Sequence, residues 1–515
     1  MNNKKTNTQA NEAKGFLAWV ERVGNALPHP AMIFVIMLAI LAVIAQICYM
    51  NNVSVDFFDA REGKAVEIAA IPLLNAEGIR HIFQSAVTNF TGFAPLGTVL
   101  VAMLGVGVAE YAGFFDAGLK KLLSNVPSVV LTATVVFVGI ISNIASDAGY
   151  VVVIPLGAMI FLTAGKHPIA GLAAAFAGVS GGFSANLIFG PTDALLSGLT
   201  NEALRAANID ATIDVTGNWY FLIVSTFFLT LVGTLVTEIV VIPNLGEYKN
   251  INAHDTGSAV TDLEKKGLRR ALIALIIYLV ILGLMMFPEN AILKEPDSYG
   301  DLNLNNFLSH GLIPALFLLF LIPGLVYGKT VGTIKDSTDL VKAMTESMES
   351  MGGYLVLAFF ASQFVALFAY SNLGTILSVN GANFLNSIGL KGIPLIIIFI
   401  FLTSFLNLFM GSASAKWAIM APIFVPMFFE LGLSPELTQM AYRVADSSTN
   451  IISPLMSYFA MIVVFMQKYD KESGLGTLVS TMLPYSIAFL LLWTALLIAW
   501  MALNAPLGPG ASLFV

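Results

Sequence analysis

The sequence predicts an all-α polytopic membrane protein with about nine transmembrane helices, two re-entrant hairpins and inverted-topology repeats that contain broken helices. Three observations lead to this fold class. Hydrophobic residues make up 57% of the 515 residues and charged residues only 11%, whereas soluble domains carry about 25% charged residues. Several windows reach the roughly 20 apolar residues that one crossing requires. Two polar, helix-breaking regions also resemble each other in the order of their residues.

The first half of the chain is predicted from its apolar windows. Residues 1–27 form a cytoplasmic N-terminal segment, and residues 28–242 form the half itself. Its predicted elements are a crossing at 31–50, a return at 92–111, a hairpin at about 128–165, a broken helix at 168–200 and a return at 219–242. The hairpin is predicted because the apolar region is interrupted by polar residues at Ser142–Tyr150.

The second half follows a basic cytoplasmic linker at 243–270 and comprises residues 271–515. Its predicted elements are crossings at 271–287, 311–327 and 352–370, a hairpin at about 375–430, a broken helix at 436–466 and a last crossing at 480–503. The two hairpins enter and leave on one side, so they do not change the side on which any loop falls.

Loop charge predicts the orientation in the membrane. Lys and Arg favour cytoplasmic loops, and five of them lie in the linker at 243–270 and four in the N-terminal segment. Segments 51–90 and 288–310 together hold four. We therefore expect a multi-pass protein of the bacterial inner membrane with a cytoplasmic N-terminus.

The internal repeat rests on ordered matches between the two hairpin regions. Pro155 and Pro422 differ by 267 positions, as do Pro168 and Pro435, while the Ser-x-Asn motifs at 184–186 and 448–450 differ by 264. One hairpin opens inward and the other outward, so the repeat is inverted. Inverted repeats with discontinuous helices are typical of secondary transporters, whose sites lie near the middle of the bilayer.

The helix breaks supply oxygen atoms for a cation. Glycine and proline residues such as Gly190 and Pro191 interrupt regular helix, and unpaired backbone groups at that depth must border protein or water. Carbonyl, hydroxyl and amide oxygens suit a hard monovalent cation, and helix N-termini suit a carboxylate. The candidate cation ligands are Asn143, Ser146, Asp147, Asn186 and Asn450. One cysteine and five scattered histidines give no zinc spacing, so sodium is the only metal considered and no cofactor is expected.

Three charged residues near the breaks are functional candidates, because a charge at the bilayer centre costs about 2.5–3.5 kcal/mol. Asp193 follows the first break and is either a helix cap or a titrating group. Arg443 and Asp446 are three residues apart, so they share a helical face and can pair. They form either a structural salt bridge or a site in which Arg443 binds a substrate carboxylate and Asp446 binds a cation or proton. Asp193 has no basic neighbour in sequence, so it is the residue expected to titrate.

Five strings resemble the p-aminobenzoyl-glutamate transporter (AbgT) family. They are Leu-Pro-His-Pro at 27–30, Asn-Phe-Thr-Gly-Phe-Ala-Pro-Leu-Gly at 89–97, Ala-Ala-Ala-Phe-Ala-Gly-Val-Ser-Gly-Gly at 173–182, Gly-Ser-Ala-Ser-Ala-Lys-Trp-Ala at 411–418 and Ala-Tyr-Arg-Val-Ala-Asp-Ser at 441–447. The resemblance runs from about residue 16 to the Gly-Pro-Gly at 508–510. It implies a bowl-shaped homodimer and cation-coupled transport, by sodium or protons, of p-aminobenzoyl-glutamate, or export of sulfonamide antimetabolites.

The resemblance also implies which residues line the transport pathway. They are Asp193, Asn407, Ser414, Trp417, Pro435, Arg443, Asp446 and Pro454. Trp417 either stacks on an aromatic substrate ring or is a packing residue. Lys416, beside the second hairpin tip, stands where the resemblance leads us to expect an uncharged polar residue, so it bears on substrate charge preference or ion coupling.

The expected partners are a small-molecule substrate, the lipid bilayer and a second copy of the chain. Nucleic acid is not expected, because no basic stripe is present. Two other function classes stay open, a membrane-embedded enzyme and a passive channel. Against a membrane-embedded enzyme, no histidine lies near the polar breaks. Against a passive channel, the repeat is inverted, which a channel does not require. The sequence has no Gly-x-x-x-x-Gly-Lys-Ser/Thr string for ATP.

Overall fold

The structure, a computed structural model, describes most of the chain. The described residues are 30–59, 64–123, 127, 130–145, 149–248, 260–296, 302–304, 307, 311–453, 456 and 458–515. Two short antiparallel hairpins depart from the all-α prediction. Strand β1 (Ser54–Asp59) pairs with β2 (Lys64–Ala69), and β3 (Glu295–Pro296) pairs with β4 (Leu302–Asn303). Both hairpins lie in the segments that hold few basic residues. The sequence predicts these segments to be on the non-cytoplasmic side of the membrane.

The first half contains the helices that were expected and three others. They are α1 (Pro30–Met50), α2 (Ala76–Thr91), α3 (Ala94–Tyr111), α4 (Phe114–Leu123), α5 (Leu131–Ile141), α6 (Ile154–Thr163), α7 (Pro168–Phe176), α8 (Pro191–Ala206), α9 (Trp219–Val236) and α10 (Ile242–Leu245). The three others are α2, α4 and α10. Helices α1, α7 and α8 begin with proline, whose fixed φ and missing N–H suit the first helical position. Helices α5 and α6 are the arms of the first predicted hairpin.

The second half repeats this order after one additional long helix, α11. Its helices are α11 (Asp262–Met286), α12 (Leu312–Val331), α13 (Ser337–Ser350), α14 (Gly352–Tyr370), α15 (Leu373–Ser387), α16 (Gly392–Asn407), α17 (Ala413–Glu430), α18 (Pro435–Asn450), α19 (Phe459–Gln467) and α20 (Leu475–Ala502). The halves interlock, because α3 packs against α12 and α1 packs against α14.

The predicted crossings agree with the structure. Within the described residues, seven continuous helical segments are long and apolar enough to cross a membrane, and one bent pair of helices raises this number to eight. The seven match seven of the nine predicted crossings. The other two predicted crossings, 168–200 and 436–466, are the broken helices α7–α8 and α18–α19. Each of their separate helices is too short to cross a membrane by itself.

The second hairpin begins later than its predicted start at 375. Residues 373–387 form a separate helix, α15, which is bent by 118° from α16. Gly389 and Gly392 lie in the connection with φ of +71° and +55°, a backbone conformation that glycine adopts without steric cost. The arms of this hairpin are therefore α16 and α17.

The drift in the repeat offset has a structural cause. Helix α7 continues as a π-helix at Ala177–Gly181, whereas α18 is α-helical from Pro435 to Asn450. The first half has three more residues than the second between the aligned proline and the Ser-x-Asn motif, and a π-turn, which holds one residue more than an α-turn, takes up part of this difference. In both halves the first arm of the hairpin packs on this following helix, α5 on the π-helix and α16 on α18.

Candidate functional site

The candidate site lies where α8 from the first half meets α17 and α18 from the second half. Helix α8 starts after Gly190, whose backbone is extended, with φ −141° and ψ −167°. The Asp193 carboxylate reaches back, and its Oδ2 accepts a hydrogen bond from the Gly190 N–H at 2.7 Å. Asp193 therefore caps the helix that begins at the first break, as one of the two predicted roles requires.

Asp193 also forms an ion pair that joins the two halves. Arg443 Nη2 on α18 lies 2.7 Å from Asp193 Oδ1, and the side chains are 3% and 4% exposed. The pairing of Arg443 with Asp446 that the sequence allowed is therefore wrong, and Asp193, which has no basic neighbour in sequence, has one in space. The spacing of three residues allows contact along α18, but packing against other helices decides where each side chain points.

Asp446 pairs with Lys416 instead. Lys416 Nζ at the start of α17 lies 2.6 Å from Asp446 Oδ1, and both side chains are 1% exposed. The same ammonium donates to the side-chain oxygen of Asn407 and, at 3.3 Å, to the carbonyl oxygen of Met410. Sequence reasoning identified Lys416 as unusual but did not predict its partner.

Asn407, the last residue of α16, holds the hairpin tip against α18. Its Nδ2 lies 2.7 Å from the carbonyl oxygen of Asp446, 2.8 Å from Thr449 Oγ1 and 2.9 Å from Asn450 Oδ1. Ser453 Oγ donates to the Asn407 carbonyl oxygen at 3.0 Å. The structure thus brings together Asn407, Asp446 and Asn450, which the sequence had placed among the site residues.

Trp417 is fully buried, and its ring already has an aromatic neighbour. Its indole N–H donates to Thr200 Oγ1 at 3.0 Å, and the Tyr442 ring centroid lies 4.5 Å from its own at an interplanar angle of 34°. Gln439 donates to the same threonine oxygen at 2.9 Å. In this conformation Trp417 connects α17 to α8, and stacking on a substrate ring stays a prediction.

The remaining predicted residues of the second half lie at helix starts. Ser414 is half-buried, and its Oγ lies 3.3 Å from that of Ser412, the N-cap of α17. Pro435 is the first residue of α18, which Ser434 caps. Pro454 lies outside the described residues, as do Ser146 and Asp147 in the first half.

The first half contributes two buried amides. Asn143 and Asn186 are 8% and 7% exposed, and the Oδ1 atom of each is buried without a hydrogen-bond partner. Asn143 Nδ2 donates to the Ile140 carbonyl oxygen at 2.9 Å. Buried polar atoms are nearly always satisfied, so these two oxygens can accept a water molecule or a cation. In the part of the chain that the structure describes, no group of three or more His, Cys, Asp or Glu residues could hold a metal.

Two cavities lie near the helices of the candidate site, and neither is lined by a residue of the two ion pairs. A cavity of about 430 Å³ borders the first hairpin, and its mainly apolar lining includes Phe115, Ser142 and Leu272. A second, of about 270 Å³, lies between α2, α8 and α14 and is lined by Asn89 and Arg205 among others. The four side chains of the two ion pairs are only 1–4% exposed, so this conformation occludes them.

Comparisons with known proteins cover nearly the whole chain. The family described as "AbgT putative transporter family" matches residues 15–515. The p-aminobenzoyl-glutamate transport protein of Escherichia coli strain K12 is 39% identical over 492 residues, which are 96% of this chain and 96% of that protein. These matches extend over both halves and all the site residues named above.

Two solved structures share the fold. The YdaH transporter of Alcanivorax borkumensis, described as having an unusual topology, is 44% identical with a TM-score of 0.87, covering 94% of this chain and all of that one. MtrF of Neisseria gonorrhoeae, described within a class of antimetabolite efflux pumps, is 44% identical with a TM-score of 0.89, covering 96% of this chain and all of that one. The chain therefore belongs to the AbgT family of membrane transporters.

Proposed function

We propose that the chain is a cation-coupled secondary transporter of p-aminobenzoyl-glutamate or related aromatic carboxylates, and that sulfonamide antimetabolites are further candidates for export. It works as a homodimer in the bacterial inner membrane, with a cytoplasmic N-terminus. Support for the cargo comes from the relatives, one named as a p-aminobenzoyl-glutamate transport protein and one described among antimetabolite efflux pumps.

The ion pair between Arg443 and Asp193 carries the proposal. The arginine is buried and is held by one carboxylate from the opposite half, while its Nε atom has no hydrogen-bond partner. A planar guanidinium binds carboxylates through two parallel hydrogen bonds. A glutamate-bearing substrate presents such a carboxylate, so it can replace Asp193 at Arg443.

Displacement of Asp193 explains how substrate binding is coupled to a cation. An ionised carboxylate that loses its partner in a dry site is strongly destabilised, and it recovers by binding a proton or a sodium ion. The Gly190 N–H continues to hold one of its oxygens, so the group stays in place while the other oxygen changes partner. Substrate and cation then favour each other's binding, which is the requirement for coupled transport.

The test is uptake of labelled p-aminobenzoyl-glutamate into proteoliposomes, driven separately by an imposed proton gradient and an imposed sodium gradient. Arg443→Lys removes the planar fork. Loss of one charge-assisted hydrogen bond, about 1.5–3 kcal/mol, weakens substrate affinity by about 10- to 150-fold. The matched control is Glu238→Gln, which breaks the partly exposed pair with Lys166 away from the site and leaves affinity unchanged.

Several outcomes contradict the proposal. An Arg443→Lys variant with normal affinity would reduce the arginine to a structural residue. Equilibration of substrate without accumulation under either gradient would indicate a passive channel. Conversion of the labelled compound inside the vesicles would indicate an enzyme.

A further inference from the structure

Three oxygen atoms converge on the Lys416 ammonium. They are the Asp446 carboxylate oxygen at 2.6 Å, the Met410 carbonyl oxygen at 3.3 Å and the Asn407 amide oxygen. Carboxylate, backbone carbonyl and amide oxygens are the ligands that hard cations take in proteins. The ammonium thus lies at the centre of a group of atoms with the chemistry of a cation site.

The oxygen atoms around the ammonium are fixed by other contacts. Asn407 Nδ2 is held by three acceptors on α18, so its Oδ1 must face the ammonium. Asn450 Nδ2 lies 3.4 Å from the second carboxylate oxygen of Asp446. A simple surface salt bridge has no such positioning of its ligands. The fixed positions of these oxygen atoms are typical of a preformed cation site rather than of an isolated ion pair.

The first half has the same amides but no basic residue at the position that corresponds to Lys416. Asn143 corresponds to Asn407 and Asn186 to Asn450, each at an offset of 264, and both first-half Oδ1 atoms lack a partner. At the offset of 267 that relates Pro155 to Pro422, Lys416 corresponds to Gly149. The repeat therefore provides amide oxygens twice and a tethered cation once.

We propose that the Lys416 ammonium is a built-in cation that occupies a monovalent-cation site of the second half. As a result, this site in the present chain takes no free sodium ion. Shortening the side chain vacates the position, and sodium then binds to the oxygens of Asp446, Asn407 and Met410. The inference goes beyond the proposed function, because it concerns ion occupancy and requires no particular substrate.

The experiment compares two variants of the full-length protein purified in sodium-containing buffer. Lys416→Ser leaves space for an ion, whereas Lys416→Met retains the apolar stem and fills that space. Binding of radioactive sodium and the thermal unfolding midpoint are measured in sodium and in choline at equal ionic strength, without substrate. We expect the serine variant to bind one more sodium ion per protomer than the unmodified chain and to gain a sodium-dependent rise in its midpoint. The methionine variant gains neither.

A third variant assigns the ion to this site. In Lys416→Ser combined with Asp446→Asn, the additional sodium binding must disappear, because the carboxylate ligand is gone. The proposal is overturned if the serine variant binds no additional sodium, if the methionine variant binds as much, or if the double variant still binds it. Failure to obtain folded serine variant in sodium also overturns it, since sodium should replace the ammonium. Because no substrate is present, these results do not depend on the transport assay.

Discussion

The ion pair between Asp193 and Arg443 should be one of the strongest links between the two halves. Its nearest atoms are 2.7 Å apart and the side chains are 3–4% exposed, which gives about 6 kcal/mol of Coulomb attraction at an effective dielectric constant of about 20. Desolvation offsets much of this energy, but removal of one partner leaves the other charge buried and costs about 3–5 kcal/mol. Asp193→Asn and Arg443→Gln should each lower the free energy of unfolding by that amount.

The double variant provides the decisive comparison. It contains two neutral side chains, and the amide introduced by Asp193→Asn retains an oxygen for the Gly190 N–H. Its cost should therefore be smaller than the sum of the single costs by about 2–4 kcal/mol, because neither charge is left buried alone. The assay is denaturant-induced unfolding in lipid-detergent micelles, analysed as a double-mutant cycle. Costs that simply add, or single costs below about 1 kcal/mol, would show that the pair is hydrated or open in the resting protein and would refute the reasoning.

Three further predictions concern packing and pH. A Cβ atom on Gly178 would lie 2.4 Å from the Val136 carbonyl oxygen, so Gly178→Ala should cost about 1–3 kcal/mol of unfolding free energy, whereas Gly353→Ala, with open space around it, should cost nothing. Trp417→Phe removes the hydrogen bond to Thr200 and should cost about 1 kcal/mol in the same measurement. Burial lowers the pKa of His167, so the folded state binds fewer protons than the unfolded state and stability falls as the pH drops below about 6.5. In His167→Asn, which keeps an N-cap side chain, the loss of unfolding midpoint between pH 7.5 and pH 5.5 should be smaller than in the unmodified chain.

Length and hydropathy were sufficient to predict the crossings, because one crossing needs a fixed length of apolar chain. The windows at 31–50, 219–242 and 480–503 correspond to α1, α9 and α20. The strands β1 to β4 were missed because so short a strand depends on its partner, which local sequence does not identify. The separate helix α15 was missed because the whole region from about 375 was treated as one hairpin, although Gly389, Lys391 and Gly392 mark the bend.

The cost of burying charge singled out Asp193, Arg443 and Asp446, which the structure shows to be buried, but it did not predict the way in which they pair. Sequence proximity favoured the pair within α18, whereas the partner of Arg443 is 250 positions away. The charged residues near the helix breaks offered a signal that the pairing could be different. Lys416 follows a hairpin tip in an otherwise apolar region, so Arg443 and Lys416 were both candidate partners for Asp193 and Asp446. Only the tertiary packing selects between the two possible pairings.

In the proposed transport cycle, the unequal distribution of charge between the repeats has a consequence for the energies of the transport states. If the halves were interchangeable, the inward-open and outward-open forms would be related by symmetry and equally populated. The repeat has asparagine at both 143 and 407, but the lysine at 416 has glycine as its counterpart. One form must therefore lie lower in free energy, and substrate approaching from the side of the less populated form binds with an apparent affinity reduced by that population. The carrier should thus bind substrate with different apparent affinities from the two sides of the membrane.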